Sequence, residues 1–530
     1  MSSRLSNEVI AERLAVWEKH GRSAQKAAFE LGIARRTMDT FLDKYASAAK
    51  AQPTFGQLDQ TKIQHVDAPK KGEAKRYLVT CAQNNTKVHK GFWQNLEAYA
   101  EYISAEIMVS TFVYQKNKIN TKNAKGEKIQ KVEEVYYDPA ILPHIHDEIC
   151  FLAPSLAYCG NLQISPTAVN PCSGFNDYTG AASSIIPHTK VQMRPVGTPR
   201  NQPTKHLYTT GSVTLKNYIQ TKTGQKAEFH HTFGALVIEV LDDGSWFLRQ
   251  ITADRNGSFI DLGLKTAKGE VHEAPRPAAI HWGDIHIANI DPDIKDMFWG
   301  PEGVLDTLRP RRQLFHDLVD GESHNHHAAL DHHHQFKLHS EGKRNVRAEF
   351  DEAREFIDVF AYRKWCKGIV VWSNHDEFLV RWLRSTNYRT DHENAVFILA
   401  LELLAYESMQ AGKKPDVFAQ AINSQRCEIR TNDAGGLMIE GIDCDFHGNN
   451  GTSGSRGSVQ QFASAGLKTS TGHSHAAIMI AGASSAGTCS KLFLGYNHGL
   501  STWSHTFTLI HEGGKRQQIT ANATTRRWKA

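Results

Sequence analysis

Five short motifs in the second half of this 530-residue chain are dense in side chains that bind metal. They are Gly283-Asp284-Ile285-His286, Asp317-Leu318-Val319-Asp320, Asn374-His375-Asp376, His447-Gly448 and Gly472-His473-Ser474-His475. Their donors are carboxylate, amide and imidazole, with no thiolate among them. Such hard and borderline donors suit a pair of hydrated divalent cations, Mn²⁺ first, with Mg²⁺, Fe or Zn²⁺ as alternatives, and argue against a structural zinc knuckle. A lone Asp-x-His or His-x-His is common by chance. A series of five, most of them closing an apolar run, is not.

The runs ahead of the motifs say what must position them. Ala278 to Trp282, Gln313 to Phe315, Gly368 to Trp372 and Leu437 to Ile439 are short and apolar and read as buried strands. Ligands on the loops after several buried strands converge on one rim of an α/β core.

The series Asp-x-His, Gly-Asp-x-x-Asp, Gly-Asn-His-Asp/Glu, His and Gly-His-x-His resembles the signature of the calcineurin-like metallophosphoesterases, in particular their repair-exonuclease branch, over residues 276–530. The resemblance implies a four-layer α/β/β/α sandwich and a two-metal hydrolase. It implies one metal held by Asp284, His286 and His475, a second held by Asn374, His447 and His473, and Asp317 bridging the two. A carboxylate spans two cations roughly 3.5–4 Å apart, which together generate a bridging hydroxide near neutral pH to attack a phosphodiester. His375 corresponds to the family's catalytic histidine, with Asp376 or Asp320 as its orienting carboxylate. Two positions depart from the pattern, His316 and Ser373 standing where glycine is usual. Neither is a ligand position, so the departures bear on turn geometry.

Two further segments flank the motifs. If residues 320–334 are helical, Asp320, His324, His327, Asp331 and His334 share one face, and His324 and His327 are then candidate phosphate contacts. A solvated His-rich helix is the competing reading, favoured for His332 and His333. The glycine-rich run Gly448 to Gly457 follows a ligand directly, and its Arg456 is a candidate substrate contact on what otherwise reads as a long connection.

The opposite end carries a different signal. Residues 7–20, 24–31 and 34–45 read as three helices, with Ser23 as an N-cap and Gly32 in a turn. The run Ala27 to Met38 resembles a helix-turn-helix, which would present Arg35, Arg36 and Thr37 to DNA bases. Acidic residues Glu8, Glu12, Glu18, Glu30, Asp39 and Asp43 thin the basic footprint, so docking or homo-oligomerisation is the alternative role.

The expected organisation is α/β and multidomain. Residues 1–48 form the helical module and 49–75 a linker rich in Ala, Lys, Gln and Asp. Residues 76–275 form an α/β region of unassigned role, and 276–530 the catalytic domain. Within 76–275, Tyr77 to Cys81, Trp93 to Ile103 and Ala105 to Val113 read as a β-α-β unit, and Ala235 to Ile251 as a hairpin. This region is either a separate domain or extra layers on the sandwich. Asn84, Asn85, Thr86, His89, His230 and His231 are polar loop residues that either line a channel or satisfy the interior. The basic tail Lys515, Arg516, Arg526, Arg527 and Lys529 is a solvated terminus or a source of phosphate contacts.

The net charge of +5 is compatible with nucleic acid without demanding it, and eight unpaired-looking cysteines suit a reducing cytoplasm. No stretch is apolar enough to span a bilayer. Joining a small DNA-binding unit to a phosphoesterase suits a bacteriophage, which would place the protein in a host cytoplasm. Three functions remain in play: a DNA nuclease, a phosphatase or nucleotide phosphodiesterase, and a non-enzymatic DNA-binding regulator. The intact ligand series weighs against the last.

Overall fold

The computed structural model describes residues 7–20, 24–45, 58, 63–114, 118–122, 126, 128–132, 134–325, 328, 330–431, 435–495 and 497–530. These belong to two compact units, residues 1–58 and 59–530. Ser23 and residues 49–57 and 59–62 of the expected linker lie outside the described residues.

In the smaller unit, three helices, Asn7–Lys19, Ala24–Glu30 and Arg35–Tyr45, surround a core of Trp17, Ala27, Ala28, Met38, Phe41 and Leu42. Gly32, at φ +61°, makes the turn between the second and third helices, a conformation a Cβ would penalise. Arg35, Arg36 and Thr37 are exposed on the third helix, and Arg35 lies 3.8 Å from Asp39.

The larger unit is a mixed α/β structure built from several sheets. A six-stranded sheet carries the first three of the apolar runs identified above, and the fourth, Leu437 to Ile439, falls in another sheet. Strands Ala279–Asp284, Arg312–His316, Lys367–Val370 and Cys427–Ile429 run parallel, and Thr506–Ile510 and Arg516–Thr520 continue the sheet antiparallel. One face is covered by helices, Trp282, Phe298, Trp299, Phe315 and Phe350 packing in their shared core. The other face, through Ala279, Leu314, Ile369 and Ile510, packs on Ile439, Ile442 and Cys444 of an eleven-stranded sheet. Helix Val459–Ser464 packs on that second sheet through Val459, Phe462 and Ala483.

The eleven-stranded sheet crosses the expected boundary between 275 and 276, in keeping with extra layers and not with a separate domain. Its strands come both from 149–209 and from 438–485, joined where Gln192–Val196 pairs with Ile478–Ile480. The segments expected as 76–275 and 276–530 therefore share one sheet. The linker boundary also moves: Ile63–His65 is an edge strand paired with Ile149, Cys150 and Phe151. Three residues paired through backbone alone leave no mark in composition. A four-stranded sheet holds the expected β-α-β unit, strands Ala74–Gln83 and Ala105–Phe112 around helix Lys90–Ile103, together with the hairpin of Gly234–Leu241 and Trp246–Thr252. The polar loop residues of this region serve the interior: His89 caps its helix, Asn85 bonds the backbone of Glu134, and His231 meets Tyr218 and Thr214.

A buried ionic network ties this sheet to the six-stranded one. The Arg249 guanidinium donates to Asp261 at 2.5 and 2.8 Å and to Glu239 at 2.7 Å, while Tyr99 and Gln517 donate to Asp261 at 2.5 and 2.9 Å. Gln517 belongs to the six-stranded sheet, so the network spans the joint. Arg249→Ala would strand two buried carboxylates and should cost about 3–5 kcal/mol. Denaturant unfolding measures this, and a loss below about 1 kcal/mol would mean the carboxylates reach water.

Several histidines are buried as neutral rings. Burial pushes His188 down to about 3 and His206, His231 and His511 down to about 4. An unfolded imidazole ionises near 6.5, so as pH falls the unfolded chain takes up protons first. Stability is therefore full above pH about 6.5 and should fall progressively toward pH about 4. Melting temperatures in metal-free buffer from about pH 8 to about pH 4 would test this, a flat profile contradicting it.

Candidate metal centre

Every motif sits just beyond a strand or its turn. Asp284 ends its strand, Asp317 follows Arg312–His316, and Asn374 lies four residues past Lys367–Val370. His473 and His475 follow Thr469–Thr471. His447 departs slightly from expectation, because Met438–Ile439 turns into a second strand, Ile442–Asp443, before the ligand loop.

These loops bring the series together. His286 Nε2 and His475 Nε2 are 3.0 Å apart, and His475 Nε2 is 3.2 Å from Asp284. His447 Nε2 is 3.2 Å from Asp317, and His473 Nδ1 is 3.1 Å from Asn374 Oδ1. Asp284, His286, Asp317 and His475 form one group whose ligand atoms could hold a metal ion, and Asp317, His447 and His473 form another. The chemistry of the donors fits a cation. Asp317 Oδ1 is buried without a hydrogen-bond partner, and two imidazole nitrogens face each other in a carboxylate-lined space.

Backbone geometry concentrates on the same residues. His286, Asp317, His473 and His475 have φ of 50°, 41°, 69° and 54°, left-handed values that cost about 1–2 kcal/mol each for residues with a Cβ. Close packing explains the glycines beside them. A Cβ on Gly472 would stand 2.2 Å from Asp284 Oδ1, and one on Gly283 2.3 Å from the Gly487 carbonyl.

The electrostatics divide the two central carboxylates. Burial, then the charge of Asp317, pushes Asp284 up to about 7. Asp317 meets the same burial, but His447 and His375 outweigh it and hold the carboxyl well below the usual range. Burial opposes protonation of His286, yet Asp320, Asp317 and Asp284 raise it to about 9. Burial lowers His475 and His375, and takes His473 down to about 4.

Several residues take positions other than those expected. The Asp320 carboxylate faces His286 at 3.5 Å and accepts from the Ala288 N–H and the Asn289 amide, so it orients His286. His375 Nδ1 instead meets the Asp320 backbone carbonyl at 2.7 Å. Asp376 is fully buried, accepts from Ser373 and is pushed up by burial, so it closes the turn and does not touch His375. The stripe over 320–334 is no continuous helix. Glu349 accepts the N–H groups of Gly321, Glu322 and Ser323, and Asp331 caps a separate helix, His332–Ser340. His324 is buried beside Glu349, whereas His327 lies outside the described residues. Arg456 is exposed and close enough to help depress His473. In the tail, Arg516 is half-buried and bonds Thr469, Ser484 and Gly482, while Arg526 pairs with Asp293.

His316 is the residue sequence reasoning missed. It occupies a position where glycine was expected, yet its Nδ1 is 3.2 Å from His447 Nδ1, and its ring stacks on His281 at 4.2 Å. With Asp284 and His447 it makes a further group able to hold a metal. Its place at the end of a buried strand, beside Asp317, was the available signal.

The molecule is thus a multi-sheet α/β protein whose sheet rims carry a buried carboxylate–imidazole centre able to hold a metal ion. No family model and no solved structure matches it. The chain is similar to Protein A1 of Escherichia phage T5, with 34% identity over 467 residues that cover 84% of this chain and 82% of the phage protein. It belongs to the family of phage T5 Protein A1.

His316→Phe keeps the stack on His281 but removes the contact that fixes the tautomer of His447. It should weaken metal binding roughly 10–100-fold, the usual range for partners of metal-bound histidines. Calorimetric titration with Mn²⁺ reads this, and unchanged affinity would reduce His316 to packing.

Proposed function

We propose that this protein is a dinuclear-metal phosphodiesterase of the calcineurin-like type, and that its substrate is DNA. The observation that carries the reading is the pair of metal-competent groups sharing Asp317. On this reading Asp284, His286 and His475 hold one cation, Asn374, His447 and His473 hold the other, and Asp317 serves both. The layered packing of helices on the six-stranded sheet, that sheet on the eleven-stranded one, and helix Val459–Ser464 beyond, agrees with the sandwich of that family. Donors without sulfur favour Mn²⁺, with Mg²⁺, Fe or Zn²⁺ as alternatives.

When bound, two such cations supply a nucleophilic hydroxide near neutral pH and neutralise charge on the phosphoryl oxygens. The chain's own residues do the rest. Asp320 and the backbone bonds around it fix the His286 ring. His375 donates its Nδ1–H to the Asp320 carbonyl, so Nε2 is the nitrogen that would take up a proton and pass it to the departing oxygen. Burial lowers the pKa of the ring, which keeps it neutral at rest. Exposed Arg456 supplies positive charge at the mouth. Arg35, Arg36 and Thr37 in the smaller unit are the proposed duplex contacts of a helix-turn-helix, and homo-oligomerisation is that unit's alternative role.

The test is incubation of the full chain with linear duplex DNA, adding Mn²⁺ or Mg²⁺ separately. Metal-dependent degradation is expected. Intact DNA alongside hydrolysis of bis(p-nitrophenyl) phosphate would move the substrate to a nucleotide or phosphoprotein. His375→Ala should lower turnover by about 10²–10⁴-fold while metal content stays the same. Asp317→Ala should lose both activity and metal, and full metal retention by that variant would contradict the bridging assignment.

A further inference from the structure

Helix Asp376–Ser385 begins immediately after Asn374 and His375, and a cavity lies on each side of it. The first, of about 590 Å³, is bordered by Trp372, Val380, Arg384, Lys414 and Arg430. The second, of about 540 Å³, is bordered by His324, Arg344, Trp382 and Thr386. Arg381 borders both, so they adjoin across the helix. We propose that this helix and its two cavities seat the unreacted part of a single-stranded nucleic acid whose scissile phosphate lies at the metal centre. The proposal rests on the phosphodiesterase reading and gives it a substrate class.

Charge is the first argument. The acids bordering the cavities are already engaged. Glu377 pairs with Arg381 at 2.7 Å, Asp416 accepts from Ala419, Asp391 accepts from Asn394, and Asp376 is bound to Ser373. Arg430 is clamped by Asp445. Among the described residues no ion pair engages Arg344, Arg384 or Lys414. Asp391 and Asp416 keep their charge, so the second lining sets Arg344 beside Asp391, and the surplus of positive charge lies on the first, where Arg384 and Lys414 outnumber Asp416. At a helical rise of 1.5 Å per residue, Arg381 and Arg384 stand about 9 and 14 Å along the axis from His375, a row of cations leading away from the centre.

The linings give the second argument. Each cavity has a tryptophan, and the first also has an apolar wall of Val380, Val417 and Phe418. Stacking on aromatics beside cations is how sequence-tolerant single-strand seats are built. Bases of an intact duplex are stacked inside it and cannot enter such spaces. The third argument is His324. It is 3% exposed, its Nδ1 side faces Ser323 and Glu349, and its Nε2 is buried with no hydrogen-bond partner at the edge of the second cavity. An orphan imidazole nitrogen there is a ready partner for a base or phosphate oxygen.

The test uses the full chain and 5′-labelled oligothymidylate twelve nucleotides long (on the order of one single-strand site). Asp317→Ala serves as the non-cleaving background for anisotropy. Adding Arg384→Ala and Lys414→Ala should weaken binding about ten-fold and flatten the salt slope by about 1.4, the worth of two single-strand phosphate contacts. In the active background, the same pair should lower kcat/KM for the oligonucleotide relative to bis(p-nitrophenyl) phosphate by a similar factor. Unchanged binding and an unchanged ratio would overturn the seat, as would binding lost in Arg35→Ala/Arg36→Ala but kept in the cavity variants. Competition by thymidine monophosphate as strong as by the unlabelled oligomer would make these mononucleotide pockets and overturn it too. Failure of the phosphodiesterase reading looks different: the wild type would not hydrolyse bis(p-nitrophenyl) phosphate with either metal, whatever the anisotropy.

Discussion

Two carboxylates, Asp284 and Asp317, are buried side by side among imidazoles, and the rest of the larger unit can be understood as the means of keeping them there. Isolated, each would resist ionisation in so dry a place. The cluster solves this by giving the charge to Asp317, beside His447, and pushing Asp284 up to about 7. That balance holds only while loops from two sheets keep their positions within a fraction of an ångström. The left-handed backbone at His286, Asp317, His473 and His475 is the strain that accompanies it. The stacked aromatic core behind the six-stranded sheet and the ionic network of Arg249 supply the rigidity that holds such strain in place.

The carboxylate–imidazole cluster was readable because its pattern is local: its side chains sit at or just after the ends of strands. Strand periodicity also located the β-α-β unit and the hairpin from 234 to 252. What could not be read depended on long-range pairing. The eleven-stranded sheet is assembled from strands of two to five residues, too short for periodicity to register, drawn from both halves of the chain. The His-rich stripe had helical spacing, but Glu349 captures the backbone it needed from 26 to 28 residues away. His316 stood where glycine was expected, and nothing in a single sequence says that an imidazole there reaches His447. Asp320 and Asp376 were placed near the centre by spacing, while their actual partners, His286 and Ser373, follow from turn geometry.

Kinship with phage T5 Protein A1 covers most of both chains. In the larger unit helix Asp376–Ser385 follows directly on Asn374 and His375 and borders both cavities.

The shared sheet also has a consequence in time. The pairing of Gln192–Val196 with Ile478–Ile480 closes a loop of several hundred residues, and His473 and His475 lie on the late side of it. A ribosome adds roughly 5–20 residues per second, so the early strands wait many seconds with an open edge before their neighbours exist. His286, His316 and His447 precede that pairing, so part of the cluster is made early, and His473 and His475 complete it only late in synthesis.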